Sequence, residues 1–307
     1  MKVTIDHKSG FCWGVVRTVD IAEETLNQSH LEGKNVYILG HIIHNPKEIE
    51  RLEKRGLTTI THSDLERIAK DDKDAKVIIR AHGEPPATYK SAENLNLDVV
   101  DATCPLVTNL QNRVRKYHEQ NFQIIIFGKK EHAEVIGLRG VCNDQCLVIK
   151  TLDEAMQITD FDRQTVFMSQ TTMDKHQFHK VKEYLDSKIK NMIDLGEIDN
   201  KLLARDTTCR AVTSREEPLL NFARINDVVI FVSGKNSSNG KSLYQSCLKV
   251  NPKTHFIEDI SEIDWAWFDG AETVGISGAT STPQWYLEKV KAEIENKYNI
   301  DEIALVN

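Results

Sequence analysis

A chain of 307 residues, 40% hydrophobic and 28% charged with 7 Pro and 15 Gly, is too long for a disulfide-stapled miniature fold and too apolar for a disordered one. Its 46 acidic and 39 basic side chains leave a formal charge of -7, which excludes the basic footprint of a nucleic-acid binder. No run approaches the about 20 apolar residues of a membrane span, and MKVTIDHKSG lacks a secretory core, so a cytoplasmic protein of two or three domains with no membrane partner is expected.

In chain order, Cys12 opens the helical pattern GFCWGVVRTVDIAEETL, and a β-branched apolar run from Val36 to Gly40 follows. PKEIERLEKRG (46–56) reads as a helix, LTTI (57–60) as a weaker strand, and KVIIRAHG (76–83) as a strand with a polar end. Asp101-Ala102-Thr103-Cys104 then leads into the helical VTNLQNRVRKYHEQ, the run Ile124 to Gly128, the weaker CLVIK (146–150) and TVFMSQTT (165–172). Asp206-Thr207-Thr208-Cys209 repeats the step before a helical VTSREEPLLNFARIN, the run Val228 to Gly234, the weaker THFIE (254–258) and TVGISGATS (273–281). PQWYLEKVKAEIENKY (283–298) closes the series as a helix with Pro283 at its first position.

Three cysteines, 92 and 105 residues apart, therefore each open a helix. Short apolar runs closed by polar turns are the pattern of strands buried on both faces of a parallel sheet. Their alternation with helices predicts three small pseudo-equivalent α/β lobes with mostly parallel sheets: residues 1–103 with Cys12, 104–208 with Cys104 and 209–307 with Cys209. Sites on such sheets form beyond the carboxyl ends of the strands, so the polar residues there are expected to serve one shared site.

Soft thiolates from three lobes can hold zinc, copper(I) or an iron-sulfur group. No CxxC pair supports a closed structural zinc site. A [4Fe-4S] cluster is normally held by four cysteines, so three would leave one iron able to bind and polarise a substrate oxygen. The same positions also fit buried, inert thiols, because free cysteine is among the most buried residue types. Cys142, Cys146 and Cys247 are read as structural. His44, His82, Ser237, Asn239 and Ser281 lie beyond strand ends and offer donors for a compact anion such as a diphosphate, although Ser and Asn there also suit turns and helix caps. A desolvated Glu134 can carry a proton at neutral pH; exposed, it is an ordinary surface carboxylate.

GFCWGV (10–15), IIHN (42–45), AHG (81–83), DATCPLV (101–107), HAE (132–134), QTT (170–172), KNSSN (235–239) and the Ser281-Thr282-Pro283 turn occur in an order that resembles the LytB/IspH family of 4-hydroxy-3-methylbut-2-enyl diphosphate reductases. The resemblance spans essentially the whole chain, and the ordered set is specific where single motifs are not. It implies a trefoil of three α/β lobes around a central [4Fe-4S] cluster on Cys12, Cys104 and Cys209. It also implies reductive removal of the substrate hydroxyl as water, with electrons from ferredoxin or flavodoxin, giving isopentenyl and dimethylallyl diphosphate as the last step of the methylerythritol phosphate route to isoprenoids. By the same resemblance His44, His82, His132, Ser237, Asn239 and Ser281 bind the diphosphate with Ser238 nearby. Glu134 is the proton source through Thr171, and Thr172 sits beside them.

Two stretches depart from the family pattern. Ser277-Gly278-Ala279-Thr280-Ser281 stands where a Gly one residue later is commoner, followed by Ala-Ser, so Thr280 adds a β-branch next to Ser281. Ser233-Gly234-Lys235 replaces the commoner Gly-Ser-Lys. Rival readings are a [4Fe-4S] dehydratase, which needs a carboxylate-binding arginine pair, a non-catalytic iron-sulfur sensor, which needs an output module, and a zinc hydrolase, which lacks HExxH spacing.

Overall fold

The computed structural model describes the backbone of residues 1–306 and the side chains of residues 1–298. Asn307, the last residue of the third expected lobe, lies outside the described residues. The chain opens with β1 (Lys2–Ile5) and α1 (Trp13–Glu32). Next come β2 (Val36–Leu39), α2 (Pro46–Glu53), β3 (Leu57–Ile60), α3 (Leu65–Asp71), β4 (Lys76–Ile79), α4 (Pro86–Asn94) and β5 (Asp98–Asp101). The middle of the chain supplies α5 (Pro105–Glu119), β6 (Gln123–Phe127), α6 (Ala133–Val141), β7 (Cys146–Ile149), α7 (Leu152–Met156), β8 (Thr165–Ser169), α8 (Lys175–Asp194) and β9 (Leu202–Arg205). The last part holds α9 (Arg210–Thr213), α10 (Glu216–Arg224), β10 (Val228–Val232), α11 (Ser238–Val250), β11 (Thr254–Ile257), β12 (Thr273–Gly278) and α12 (Gln284–Val306).

The strands form three four-stranded parallel sheets, ordered β3-β2-β4-β5, β7-β6-β8-β9 and β11-β10-β12-β1. The three orders are the same pattern, with the strand that leads to a cysteine in fourth place each time. β1, from the stretch expected in the first lobe, thus completes the sheet of the C-terminal part: Val3 is in register with Val274 and Ile5 with Ile276. The expected boundaries at 103/104 and 208/209 fall in the loops between β5 and α5 and between β9 and α9. By contacts the chain forms two compact units. One comprises Met1–Val16, Ile43–Arg55 and the chain from Arg210, with the third sheet; the other comprises Arg17–Ile42 and Gly56–Cys209, with the first two.

The strand runs became strands for the reason their composition gave. Every residue of β8 and β10 is buried, as two-sided coverage by crossover helices requires. Local chemistry starts the helices. The Asn45 side chain caps α2 by accepting from the N–H groups of Lys47 and Glu48 at 3.1 and 3.2 Å, and Pro46 and Pro105 occupy first-turn positions that need no donor. Two expectations shift. Pro283 sits one residue before α12, its carbonyl accepting from Tyr286 and Leu287. The helix expected after Cys209 is broken into α9 and α10, because Pro218 has no N–H to continue the ladder from Ser214 and is tolerated only in the first turn of a new helix. No described helix is long and apolar enough to cross a membrane.

Candidate active site

The three cysteines are fixed by one hydrogen bond used three times. The N–H of Cys104 donates to the carbonyl of Ala81 at 3.0 Å, that of Cys209 to Thr171 at 2.7 Å, and that of Cys12 to Thr280 at 3.0 Å. Each acceptor lies two residues past the third strand of its sheet, β4, β8 or β12. The residue after each acceptor is His82, Thr172 or Ser281, all singled out from the sequence. Each thiol is half-buried, whereas Cys142 and Cys247 are fully buried. Cys142 donates to the carbonyls of Leu138 and Arg139, both at 3.3 Å, and burial pushes the Cys247 thiol up to about 12, so both behave as core thiols.

A second repeated position lies five residues past the second strand of each sheet: His44 after β2, His132 after β6 and Ser237 after β10. His132 and Ser237 are the N-caps of α6 and α11; Asn45, one residue on, caps α2. The loops from these strands therefore deliver candidate binding groups next to helix N-termini, where N–H groups and the helix dipole favour an anion.

In the unit holding the first two sheets, the His132 Nδ1 accepts from the Glu134 N–H at 3.2 Å, so a neutral ring carries its proton on Nε2. Its ring meets that of His82 edge-on, with centroids 5.1 Å apart. Gly83, next to His82, has φ +68, a left-handed turn in which a side chain would also press on Gln111 and Thr103. Glu134 is only 1% exposed. Its Oε1 accepts from the Thr171 N–H and its Oε2 from the Thr171 hydroxyl, both at 2.7 Å. Burial drives its carboxyl up to about 7, against the pull of those two hydrogen bonds. Such a group is half-protonated near neutrality and touches a hydroxyl that can pass the proton on. The structure thus joins His82, His132, Glu134, Thr171 and Cys209 through named contacts. Thr172 is reached through Gln170, whose Nε2 donates to the Thr172 Oγ1 at 2.8 Å while its Oε1 accepts from the Lys129 N–H at 3.1 Å. Gln170 was visible only as part of the QTT motif; its full burial gives it this orienting role.

In the other unit, Ser237 accepts from the Gly240 N–H at 3.0 Å, fixing the start of α11, where Ser238 and Asn239 are both buried. Asn239 donates through Nδ2 to the Thr280 Oγ1 at 2.8 Å, and Thr280 is the residue whose carbonyl holds Cys12. The β-branch that departs from the family pattern is therefore buried and used. Asn239 Oδ1 and Ser281 Oγ, by contrast, are buried without a hydrogen-bond partner among the described residues. Buried polar atoms without partners are rare and mark places where a ligand completes the set. The amide is oriented by its neighbours: a Thr280 hydroxyl that donates to Asn239 instead of accepting would turn Nδ2 toward an anion. The second departure also has a cause. A Cβ on Gly234 would stand 2.3 Å from the His44 carbonyl oxygen, so this loop passes too close to His44 for a side chain.

A separate cavity of about 820 Å³ runs along β7 and is lined by His118, Cys146, Glu154 and Arg163 among others. It contains none of the repeated positions, so its size does not make it the stronger candidate.

Two outcomes follow from this geometry. The folded Glu134 carboxyl titrates above its ordinary value of 4.5, so its contribution to stability is present below about 4.5 and is lost as pH rises through about 7. Denaturant unfolding between pH 5 and 8 should therefore show stability falling with pH in the parent and a flatter profile in Glu134→Gln; equal slopes would contradict the burial argument. Gly234→Ala should cost about 1 to 3 kcal/mol by overpacking against His44, seen as a lower denaturation midpoint.

A family model described as LytB protein matches residues 3–295. The chain is 44% identical over 335 aligned residues to a 4-hydroxy-3-methylbut-2-enyl diphosphate reductase of Chlorobium phaeobacteroides, covering 98% of this chain and 99% of the relative. It is 42% identical over 299 aligned residues to the reductase of that name from Bacteroides fragilis, covering 96% and 98%. Among solved structures, one described as (E)-4-hydroxy-3-methyl-but-2-enyl diphosphate reductase, the terminal enzyme of the non-mevalonate pathway, superposes with TM-score 0.68 at 34% identity, covering 96% of this chain and 99% of that one. One described as the E-1-hydroxy-2-methyl-but-2-enyl-4-diphosphate reductase from Plasmodium falciparum gives TM-score 0.81 at 25% identity, covering 94% of this chain and 86% of that one. With parallel sheets, repeated cysteine loops and this breadth of similarity, the chain belongs to the LytB family.

Proposed function

We propose that this chain is an iron-sulfur reductase that removes the hydroxyl of 4-hydroxy-3-methylbut-2-enyl diphosphate as water and releases isopentenyl and dimethylallyl diphosphate. The observation that carries the reading is the thrice-used Cys N–H hydrogen bond, which gives distant cysteines one local geometry and sets a candidate substrate group beside each. Relatives similar over nearly the whole chain bear the name of this reductase.

Cys12, Cys104 and Cys209 are the ligands of a [4Fe-4S] cluster. The donor set fits: half-buried thiols held by their backbones, sulfur as the soft ligand iron-sulfur groups require, and no fourth cysteine in an equivalent position. When bound, the cluster supplies one-electron reduction and a Lewis-acidic iron without a protein ligand. The rest falls to side chains. His44, His82, His132, Ser237, Ser238, Asn239 and Ser281 hold the diphosphate. Its distance from the bond that breaks lets binding energy orient the reacting end. Thr172, turned by Gln170, borders the same substrate. Protonated Glu134 reverses its bond to Thr171, Oε2–H donating to the hydroxyl, which passes its own proton to the leaving oxygen, and His132, fixed by the Glu134 N–H, presents Nε2–H to the anion. The two electrons come singly from ferredoxin or flavodoxin in the cytoplasm, and a second proton, drawn from solvent, forms the C–H bond that replaces the C–O bond.

An anaerobic assay with a one-electron chemical reductant tests this directly. The parent should convert the allylic alcohol diphosphate to the two isoprenoid diphosphates; a hydrated or merely dehydrated product would overturn the reductase reading. Glu134→Gln should bind substrate within about threefold of the parent and lose two or more orders of magnitude in turnover, in line with loss of a general acid. Full turnover would remove Glu134 from the proton path. Parent activity should also decline as pH rises past about 7, where Glu134 loses its proton.

A further inference from the structure

Two arginines each donate to a carbonyl just before a cysteine. Arg215 stands at the break between α9 and α10, and its guanidinium donates to the carbonyls of Gly10 at 2.5 Å and Phe11 at 3.3 Å, the two residues before Cys12. Arg17, in α1, donates to the carbonyl of Thr103 at 3.1 Å, the residue before Cys104. Both side chains are half-buried. Neither has a carboxylate at ion-pair distance among the described residues. Asp6, the acidic neighbour of Arg215, is already committed: its Oδ1 accepts from the Lys8 N–H and its Oδ2 from the Ser277 hydroxyl, both at 2.9 Å. Burial lowers the Arg215 guanidinium from its ordinary value, while Cys12 and Asp6 favour its charge.

A chain with 46 acidic residues does not lack partners for two arginines. A partly buried guanidinium with no ion-pair contact is nonetheless costly, and Asp6 acts on Arg215 only from beyond ion-pair distance, so the two cations point to an anionic group absent from the polypeptide itself. Three thiolates on an iron-sulfur core supply that charge, and it becomes more negative when an electron arrives. Positive charge fixed nearby favours the reduced state, since net charge and hydrogen bonding around the sulfurs set the potentials of such groups.

We propose that Arg215 and Arg17 are positioning residues that raise the reduction potential of the iron-sulfur group by placing fixed positive charge beside the Cys12 and Cys104 loops. This rests on the reading of Cys12, Cys104 and Cys209 as ligands. The competing role is mechanical: the guanidinium groups would brace the loop carbonyls and their charge would be incidental.

A mediated redox titration of the anaerobically loaded protein, followed by its paramagnetic signal and with iron content measured alongside, separates the two. Arg215→Gln and Arg17→Gln should each lower the reduced-to-oxidised ratio at one poised potential by about tenfold, about 59 mV for a one-electron couple. Arg215→Lys and Arg17→Lys, which keep the charge and lose the guanidinium geometry of these bonds, should stay within about twofold of the parent. Glutamine variants with parent-like potentials overturn the proposal, as do lysine variants shifted as far as the glutamine ones. If a glutamine variant fails to load iron, full loading of the matching lysine variant still supports a charge requirement, and failure of both shows a structural role. Parent protein that takes up no iron-sulfur group sinks the ligand reading itself, a result distinct from any of these.

Discussion

The structure depends on how a cysteine that opens a helix is held still. In each sheet the backbone leaving the fourth strand turns so that the cysteine N–H bonds a carbonyl just past the third strand. That bond ties the thiol to a neighbouring strand end, and parallel sheets present their functional loops at such ends. A ligand fixed by its backbone on a rigid sheet needs little further ordering when it binds, which is what a preorganised metal site requires. Because the bond uses only main-chain atoms, the flanking side chains were free to diverge.

Divergence at equivalent positions gives the repeats different chemistry. Seven residues past the second strand of their sheets stand Glu134 and Asn239, and both reach a threonine two residues past the third strand, Thr171 or Thr280. One pair is a buried carboxyl with its titration drawn up to about 7 that accepts from its threonine; the other is a neutral amide that donates to its threonine hydroxyl. The acid can exchange a proton near neutrality and the amide cannot. In the remaining repeat the corresponding residues are Pro46 and Ala81, which leave His44 and His82 as the polar groups. Repetition supplied the scaffold, and substitution at one address left a titratable acid in one repeat and a neutral amide in another.

Much of this was readable before any coordinates. The Asp-x-Thr-Cys repeat, the β-branched runs and the polar strand ends located the sheets and nearly all the candidate groups, because parallel strands and their loops leave local signatures. β1 was harder, since four residues of KVTI carry no sign that their partner lies some 270 positions later in β12. The break before α10 followed from Pro218, a signal present in the sequence but overridden by the apolar pattern around it. Gln170, Arg17 and Arg215 were not legible as participants: their roles rest on which carbonyl or hydroxyl they reach, and hydrogen-bond partners distant in sequence have no one-dimensional trace. Thr280 and Gly234, which depart from the family pattern, became intelligible only with their neighbours Asn239 and His44 in view.

The central claim concerns what Cys12, Cys104 and Cys209 bind, and Mössbauer spectroscopy of anaerobically prepared, ⁵⁷Fe-enriched protein tests it most directly. The account predicts about four iron atoms per chain with one environment distinct from the other three, as three protein thiolates impose on a four-iron core. A spectrum of mononuclear or two-iron centres, or a full four-iron signal that survives replacement of Cys209 by Ser, would contradict it.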